Sequence, residues 1–267
     1  MKFRPCIDIH NGQVKQIVGA SLIDNNNQAI ENYTSTQSAS WFAALYKKDN
    51  LTGGHVILLN TKDSDFFQVT KAQGIEALRT YPGGLQIGGG ITAENASEYI
   101  EAGASHVIVT SYIFEDGKFV ESNLEKLANT VGKEKVVVDL SCRKKGENYY
   151  VVTHRWQRYT TMELTYENMS RLARHCDEFL IHGVDVEGRS QGIEEPLVEF
   201  LGQIQEESNI PITYAGGIGS LEDLDRFRKI SRGNLDITIG SALDIFGGTI
   251  PYAEIVLQFT PHQLGRL

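Results

Sequence analysis

Short, nearly continuous apolar runs rich in β-branched residues alternate along this chain with longer stretches whose apolar positions recur every three or four residues. The short runs fall at 3–9 (FRPCIDI), 55–60 (HVILLN), 84–88 (GLQIG), 106–110 (HVIVT), 135–140 (KVVVDL), 178–183 (EFLIHG), 211–215 (PITYA) and 235–239 (LDITI). A run apolar on both faces is what a parallel strand covered on both sides requires. The amphipathic stretches lie near 38–48, 68–80, 93–102, 120–131, 165–175, 195–207, 221–230 and 252–259 and have helical spacing. Eight β/α alternations with no all-helical or all-β block predict a parallel α/β fold. Eight units suit a closed (β/α)8 TIM barrel better than an open doubly wound sheet.

The chain also repeats itself. "IGGGIT" at 87–92 is echoed by "YAGGIG" at 214–219, so that Gly90 and Gly217 are 127 residues apart. "VIVTSYIF" at 107–114 is echoed by "ITIGSALDIF" at 237–246, which sets Ser111 and Ser241 130 apart. "CIDI" at 6–9 is echoed by "VVDL" at 137–140, with Asp8 and Asp139 131 apart. Three pairs at nearly one offset predict a single barrel domain over 1–267, built from two fused half-barrel repeats, roughly 1–131 and 132–267. In such a barrel, equivalent loops face each other across the mouth.

That geometry gives the strand-end carboxylates a meaning. Asp8 and Asp139 close the first and fifth strands at the C-terminal face, where barrel enzymes work. They converge on one pocket from opposite sides and suit general acid/base chemistry, because two environments can hold one ionised and the other protonated. Gly89 and Gly90 follow strand three and Gly216 and Gly217 follow strand seven, each pair just before a helix. Glycine allows close backbone approach, and a helix N-terminus offers unpaired N–H groups to phosphate. Ser220 with Asp223 resembles a capping box at the second of these helices. Thr110-Ser111 and Gly240-Ser241, after strands four and eight, complete each cradle. Two equivalent cradles predict a ligand with a phosphate at each end, held without positive charge. Trp156 lies in the polar stretch "VVTHRWQRYTT", after an apparent hairpin at Arg143–Thr153 that extends the fifth loop. Its indole either packs on its own domain or forms a lid over a flat heterocycle, with Arg155 or Arg158 reaching an anionic or carboxamide group. The Asn-, Ser- and Thr-rich stretch 19–37 reads as a second mobile loop.

Composition narrows the partners. The hydrophobic fraction is 41% and the charged fraction 22%, ordinary for a globular core. With 25 Lys+Arg against 34 Asp+Glu the net charge is −9, which argues against nucleic-acid and anionic-membrane binding. No apolar run approaches the ~18 residues that span a bilayer. The N-terminus lacks a basic stretch followed by an apolar one, so a cytosolic protein is expected, and an organellar location after removal of a transit peptide is compatible with the same sequence. Cys6, Cys142 and Cys176 are odd in number, without metal-like spacing, and read as free thiols. Cys6 and Cys142 flank the carboxylates without a basic partner, and neither a metal site nor a cofactor is expected.

These residues give the chain a family resemblance. "PCIDIHNGQVKQIVG", "GGHVI", "LQIGGGI", "HVIVTS", "VVVDLSCRK", "FLIHGVDVEG", "YAGGI" and "TIGSALDIFGG" resemble the isomerases of histidine biosynthesis, especially their eukaryotic branch. Those enzymes convert the phosphoribosyl-formimino-aminoimidazole-carboxamide ribotide, an aminoaldose, to its ribulosyl aminoketose. The resemblance implies an Amadori rearrangement of a bis-phosphorylated small molecule, with Asp8 as general base and Asp139 as general acid; a monomer is expected. It also implies Trp156 stacked on the imidazole-carboxamide, Gly89, Gly90 and Ser111 at one phosphate, and Gly217, Gly240 and Ser241 at the other. Three positions depart from the bacterial pattern: Gly183 stands for the Thr at the end of strand six, Gln16 (beside Lys15) for an Arg after strand one, and Asn60 for an Asp after strand two. His182 and Asp185 are the nearby substitutes for that Thr. The nearest alternative is the cyclase subunit of imidazole-glycerol-phosphate synthase, whose pattern wants a Lys where this chain has Gln16 and lacks a Trp like Trp156. Phosphoribosylanthranilate isomerase acts on a substrate with one phosphate, against two cradles here. A catalytically silent phosphosugar-binding barrel would not need aspartates in both halves.

Overall fold

A computed structural model describes residues 1–17, 31–154, 156–187 and 192–259. The barrel strands are β1 (Cys6–His10), β2 (Gly54–Leu58), β3 (Leu85–Gly88), β4 (Val107–Val109), β5 (Val136–Asp139), β6 (Glu178–His182), β7 (Ile212–Ala215) and β8 (Asp236–Thr238). They alternate with α1 (Ala39–Lys48), α2 (Phe67–Thr80), α3 (Ala96–Glu101), α4 (Glu121–Val131), α5 (Tyr166–Leu172), α6 (Glu195–Ser208), α7 (Leu221–Ile230) and α8 (Tyr252–Phe259). Every strand and helix expected from the pattern is present within a few residues. Neighbouring strands from β1 to β8 pair in parallel in sequence order. The ring closes where Phe3 bridges Ile237, with Arg4 N donating to Ile237 O at 2.8 Å and Ile237 N to Lys2 O at 3.0 Å. The fold is a (β/α)8 barrel. No helix among the described residues is long and apolar enough to cross a membrane.

Capping chemistry sets several helix starts. Ser38, Thr165 and Ser220 each accept a hydrogen bond from the backbone N–H three residues on, at the head of α1, α5 and α7. Asp223 also takes the Gly219 N–H at 2.9 Å, so the expected box forms with its return bond one residue early. The helices bury their apolar faces, such as Phe42 and Tyr46 of α1 or Leu224 and Phe227 of α7, against the outer faces of the strands.

Two antiparallel additions rise from the barrel. Asn11 and Gly12 have φ of +52° and +75°, and Ile9 pairs with Val14 and His10 with Gln13. This Asn-Gly turn is the tight two-residue hairpin that needs left-handed backbone at both central positions. It returns the chain as the strand Gln13–Ile17, which in turn pairs with Glu31–Thr34. The stretch expected as a loop over 19–37 is therefore strand at its far end, because Lys15 and Gln16 pair with Thr34 and Tyr33; residues 19–30 lie outside the described residues. After β5 a three-stranded sheet forms from Cys142–Lys145, Asn148–Thr153 and Arg158–Glu163. The expected hairpin is its first two strands; the third was hidden in the polar stretch.

The floor of the barrel is charged. Arg4 donates from Nε to Asp236 Oδ2 at 2.8 Å, and its Nη1 lies 3.2 Å from Glu178 Oε2. Glu178 also accepts from Gln86 at 3.1 Å and Thr213 at 3.0 Å, and Asp236 accepts the Lys2 N–H at 2.6 Å. These contacts join β3, β6, β7 and β8 to the N-terminal segment beneath a small apolar layer of Ile108, Val137 and Leu180. Removing one partner from such a cluster leaves the others charged and buried, at a cost of about 3–5 kcal/mol. Arg4→Met is expected to lower stability by that order, measured by urea denaturation with the slope of unfolding unchanged.

Candidate active site

The C-terminal ends of β1, β5 and β6 bring Asp8, Asp139 and His182 to the barrel mouth, where His182 contacts Asp139 and shares a cavity with Asp8. His182 Nδ1 lies 3.5 Å from Asp139 Oδ1 and 3.2 Å from Ser141 Oγ. Asp139 Oδ1 accepts from Ser141 N at 2.8 Å and Ser141 Oγ at 2.7 Å, and its Oδ2 from Thr110 Oγ1 at 3.3 Å. Asp8, half-buried, lines one cavity with His182, His55, Glu187 and the second glycine pair, Gly216 and Gly217.

Burial and neighbouring charge drive the two aspartates apart. Burial pushes Asp8 up, repulsion from Glu187 adds to this and His182 opposes it, with the result that Asp8 sits at about 7. Asp139 is also buried, but attraction to His182 and the hydrogen bonds from His182 and Ser141 outweigh desolvation and hold it below the ordinary carboxylate value. Burial alone would depress His182. Asp139 beside it, with Glu187 and Asp8, raises it instead to about 9. His55, buried and facing the cationic His182 at 6.1 Å between ring centroids, falls to about 3 and is neutral. Burial raises all three thiols, so Cys6, Cys142 and Cys176 are inert at neutral pH.

The two glycine cradles share a backbone form. Gly89 and Gly90 have φ of +104° and +69°, and Gly216 and Gly217 have +124° and +82°. A Cβ on Gly217 would stand 2.1 Å from the Gly192 carbonyl oxygen, and one on Gly89 2.2 Å from that of Leu58, so only glycine fits either turn. Ser111 opens a short 3-10 turn beside the first pair, and Thr110 turns its hydroxyl to Asp139 instead of outward. Gly240 and Ser241 lie with Gly216 and Gly217 on the cavity wall. Gln16 reaches this second cradle: its Oε1 lies 2.5 Å from where a Gly240 Cβ would be, while its Nε2 donates to Cys6 Sγ at 3.7 Å. The first cradle has an exposed cation that the sequence reading did not include, Lys62, whose Cε approaches Gly90.

Trp156 reaches the site because β5 and β6 continue to pair above the barrel rim. Leu140 N donates to Leu180 O, Cys142 bridges Gly183, and Val184 N donates to Cys142 O. The three-stranded sheet is thereby docked over β6, and the turn between its last two strands carries Trp156 at φ +67°. Its indole lies 5.7 Å from the His182 ring at an interplanar angle of 42°. Arg158 is exposed at the start of the third strand, opposite Thr153, and Arg155 lies outside the described residues.

The departures noted in the sequence resolve into distinct roles. Asn60 ties two loops together: Oδ1 accepts from Asn11 N and Thr70 Oγ1, and Nδ2 donates to Asn11 and Ser64. Asp185 turns away, accepting from Arg143 Nε at 2.9 Å and Lys144 N at 3.0 Å. Glu187 was missed altogether. Its Oε2 and the Thr238 hydroxyl are buried without a hydrogen-bond partner, and both residues line the cavity beside Asp8. Both atoms are open to a hydrogen bond from water or from a ligand that enters the cavity. Only the chain path after β6 reveals Glu187; no spacing in the sequence marks it.

Comparison with known proteins adds an independent finding. Residues 2–250 match the model of a family described as histidine biosynthesis protein. An isomerase of Medicago truncatula, named as the chloroplastic phosphoribosyl-(phosphoribosylamino)methylideneamino-imidazole-carboxamide isomerase, is 52% identical over 260 residues, covering 96% of this chain and 81% of its own. Isomerases of the same name from Neurospora crassa and Saccharomyces cerevisiae are 46% and 42% identical, covering 92% and 93% of this chain and 93% and 94% of their own.

The raised Asp8 makes a stability prediction. Its ordinary value is 3.8 and its folded value about 7, so between these the unfolded chain has released a proton that the fold retains. Stability therefore falls as pH rises through this window and levels off above it. Asp8→Asn removes the penalty. With Asp8's partial exposure discounted, its unfolding free energy is expected to exceed the parent's by about 1–2 kcal/mol at pH 8 and by almost nothing at pH 4, in paired thermal melts.

Proposed function

The chain belongs to the histidine biosynthesis protein family, and from that membership and the mouth of its barrel we propose that it is the family's isomerase. It catalyses the Amadori rearrangement of the formimino aminoaldose ribotide to the phosphoribulosyl aminoketose, the fourth step of histidine biosynthesis. The observation that carries this reading is the pair Asp8 and Asp139 on opposite strands, with one imidazole at Asp139 and a glycine cradle on each side. Asp8 near 7 is a base poised for the C2′ proton, and the hydrogen-bonded group of Asp139 and His182 supplies the proton that opens the ring. Gly89, Gly90 and Thr110 through backbone amides and Ser111 through its hydroxyl bind one phosphate, and Gly216, Gly217, Gly240 and Ser241 the other. Trp156 stacks on the imidazole-carboxamide between them, and Arg155 beside it contacts the same end of the ligand.

The halves, roughly 1–131 and 132–267, are fused copies of one half-barrel of four β/α units within a single domain, supported by the matching left-handed glycines and the paired aspartates. The protein works as a monomer on a small molecule. We place it in the cytosol, with an organelle as the alternative that the plant relative's chloroplastic name raises; cell fractionation decides between them.

The deciding assay incubates the purified protein with the aminoaldose ribotide, without metal, cofactor or ammonia, and separates the products by chromatography. The ribulosyl isomer is expected. Consumption of the ribulosyl compound only after ammonia is added would instead identify the cyclase. Asp8→Asn and Asp139→Asn are each expected to lower turnover by several orders of magnitude with substrate affinity largely kept. An unchanged rate in either variant would remove that residue from the mechanism.

A further inference from the structure

We infer that the proton donor for ring opening is His182, and that Asp139 is the positioning carboxylate behind it. This rests on the isomerase reading above and changes which atom carries the proton. Asp139 is surrounded by donors: the Ser141 N–H and hydroxyl at Oδ1 and the Thr110 hydroxyl at Oδ2. Two donors at Oδ1 and one at Oδ2, with the His182 imidazole beside Oδ1, favour the carboxylate over the acid. The arrangement around Asp139 therefore favours the ionised group as its resting form.

The same contacts fix the imidazole. Ser141 Oγ donates to Asp139 and accepts from His182 Nδ1 at 3.2 Å, which keeps a hydrogen on Nδ1. Nε2, at the opposite corner of the ring, is then the nitrogen that gains and loses a proton, on the side away from Asp139. His182 lines the cavity that holds Asp8, and the Trp156 ring stands 5.7 Å from it. The groups facing it are Asp139 from β5, Asp8 from β1, Glu187 from the loop after β6 and the neutral His55 from β2. Three carboxylates against one uncharged ring keep His182 cationic up to about 9, despite its burial.

The strand-six end shows why this role falls to His182. Gly183 is held in the sheet through its N–H to Ala215 O and has no side chain to offer. Asp185 is committed to Arg143 and Lys144. Of the two substitutes suggested by the sequence, only His182 faces the mouth.

The proton inventory closes over one turnover. His182 Nε2–H protonates the ribose ring oxygen as the C1′–O bond breaks, and the glycosidic nitrogen's lone pair forms the C1′=N bond of a Schiff base. Asp8 takes the C2′ proton, the electrons of the C2′–H bond make the C1′=C2′ bond of the enolamine, and the C1′=N π pair returns to nitrogen. Neutral His182 then takes the O2′ proton as the ketone forms, while the Asp8 carboxyl returns its proton to C1′. Both groups end as they began.

The test pairs an activity-independent measurement with kinetics. Imidazole NMR of the folded protein is expected to show His182 titrating near 9, and to fall toward the ordinary 6.5 in Asp139→Asn. In the pH dependence of kcat/KM the parent is expected to rise through about 7 with Asp8 and fall through about 9 with His182. His182→Gln should lose roughly 100-fold or more in kcat, keep KM within a few-fold and lose the alkaline limb. Ser141→Ala, which leaves the imidazole in place, should move that limb to lower pH, and it keeps the idea testable should His182→Gln fail to fold. A His182 that titrates at or below 6.5 in the parent, or a folded His182→Gln with the parent's kcat and alkaline limb, would overturn the assignment. A parent that does not isomerise the aminoaldose overturns the reading beneath it, and the titration still decides whether the dyad exists.

Discussion

One guanidinium holds the seam on which this barrel depends. Arg4 is nearly buried, and it grips Asp236 at the start of β8 and Glu178 at the start of β6 just where the ring has to close. A parallel barrel has no edge only if its last strand finds its first, and here the closing contacts are few: the Phe3–Ile237 bridge and two backbone hydrogen bonds. The buried ion pairs hold that short ladder in register. Register matters at the other end, because Asp8 and Gly240 sit above the same seam, where Gln16 donates to Cys6 Sγ and approaches Gly240.

Charge is thus used twice along one axis, for opposite purposes. At the floor, opposite charges are matched and surrounded by Gln86 and Thr213, and burial is compensated. At the mouth, three carboxylates share one imidazolium, and the mismatch leaves Asp8 and Glu187 raised while Asp139 is lowered. The apolar layer of Ile108, Val137 and Leu180 separates the two regions. Stability is built at the floor and spent at the mouth, which is where a reaction needs groups that are poorly satisfied in the free protein.

How much of this was legible in the sequence depended on whether the information was local. Strand and helix positions follow from short-range periodicity, and all sixteen expected elements appear. Asp8 and Asp139 could be paired because the internal repeat converts sequence distance into opposition across the axis. Glu187 could not, since nothing local tells which way the loop after β6 turns. Gln16 was legible as a departure, but its approach to Gly240 depends on the Asn11-Gly12 turn folding β1 back on itself. The choice between His182 and Asp185 was likewise invisible until Arg143, thirty-nine positions upstream of His182, was seen to occupy Asp185. The strand Arg158–Glu163 was missed because its Tyr, Thr and Met alternate around a core of two strands that the polar stretch disguised.

The placement of Trp156 has an optical consequence. The chain contains two tryptophans, and Trp41 lies on α1 on the outside of the barrel, against Phe42. Trp156 alone stands against an imidazole that carries charge in the resting protein, and a charged imidazole quenches indole emission far better than a neutral one. The emission of Trp156, set against that of Trp41, is therefore expected to brighten as His182 loses its proton.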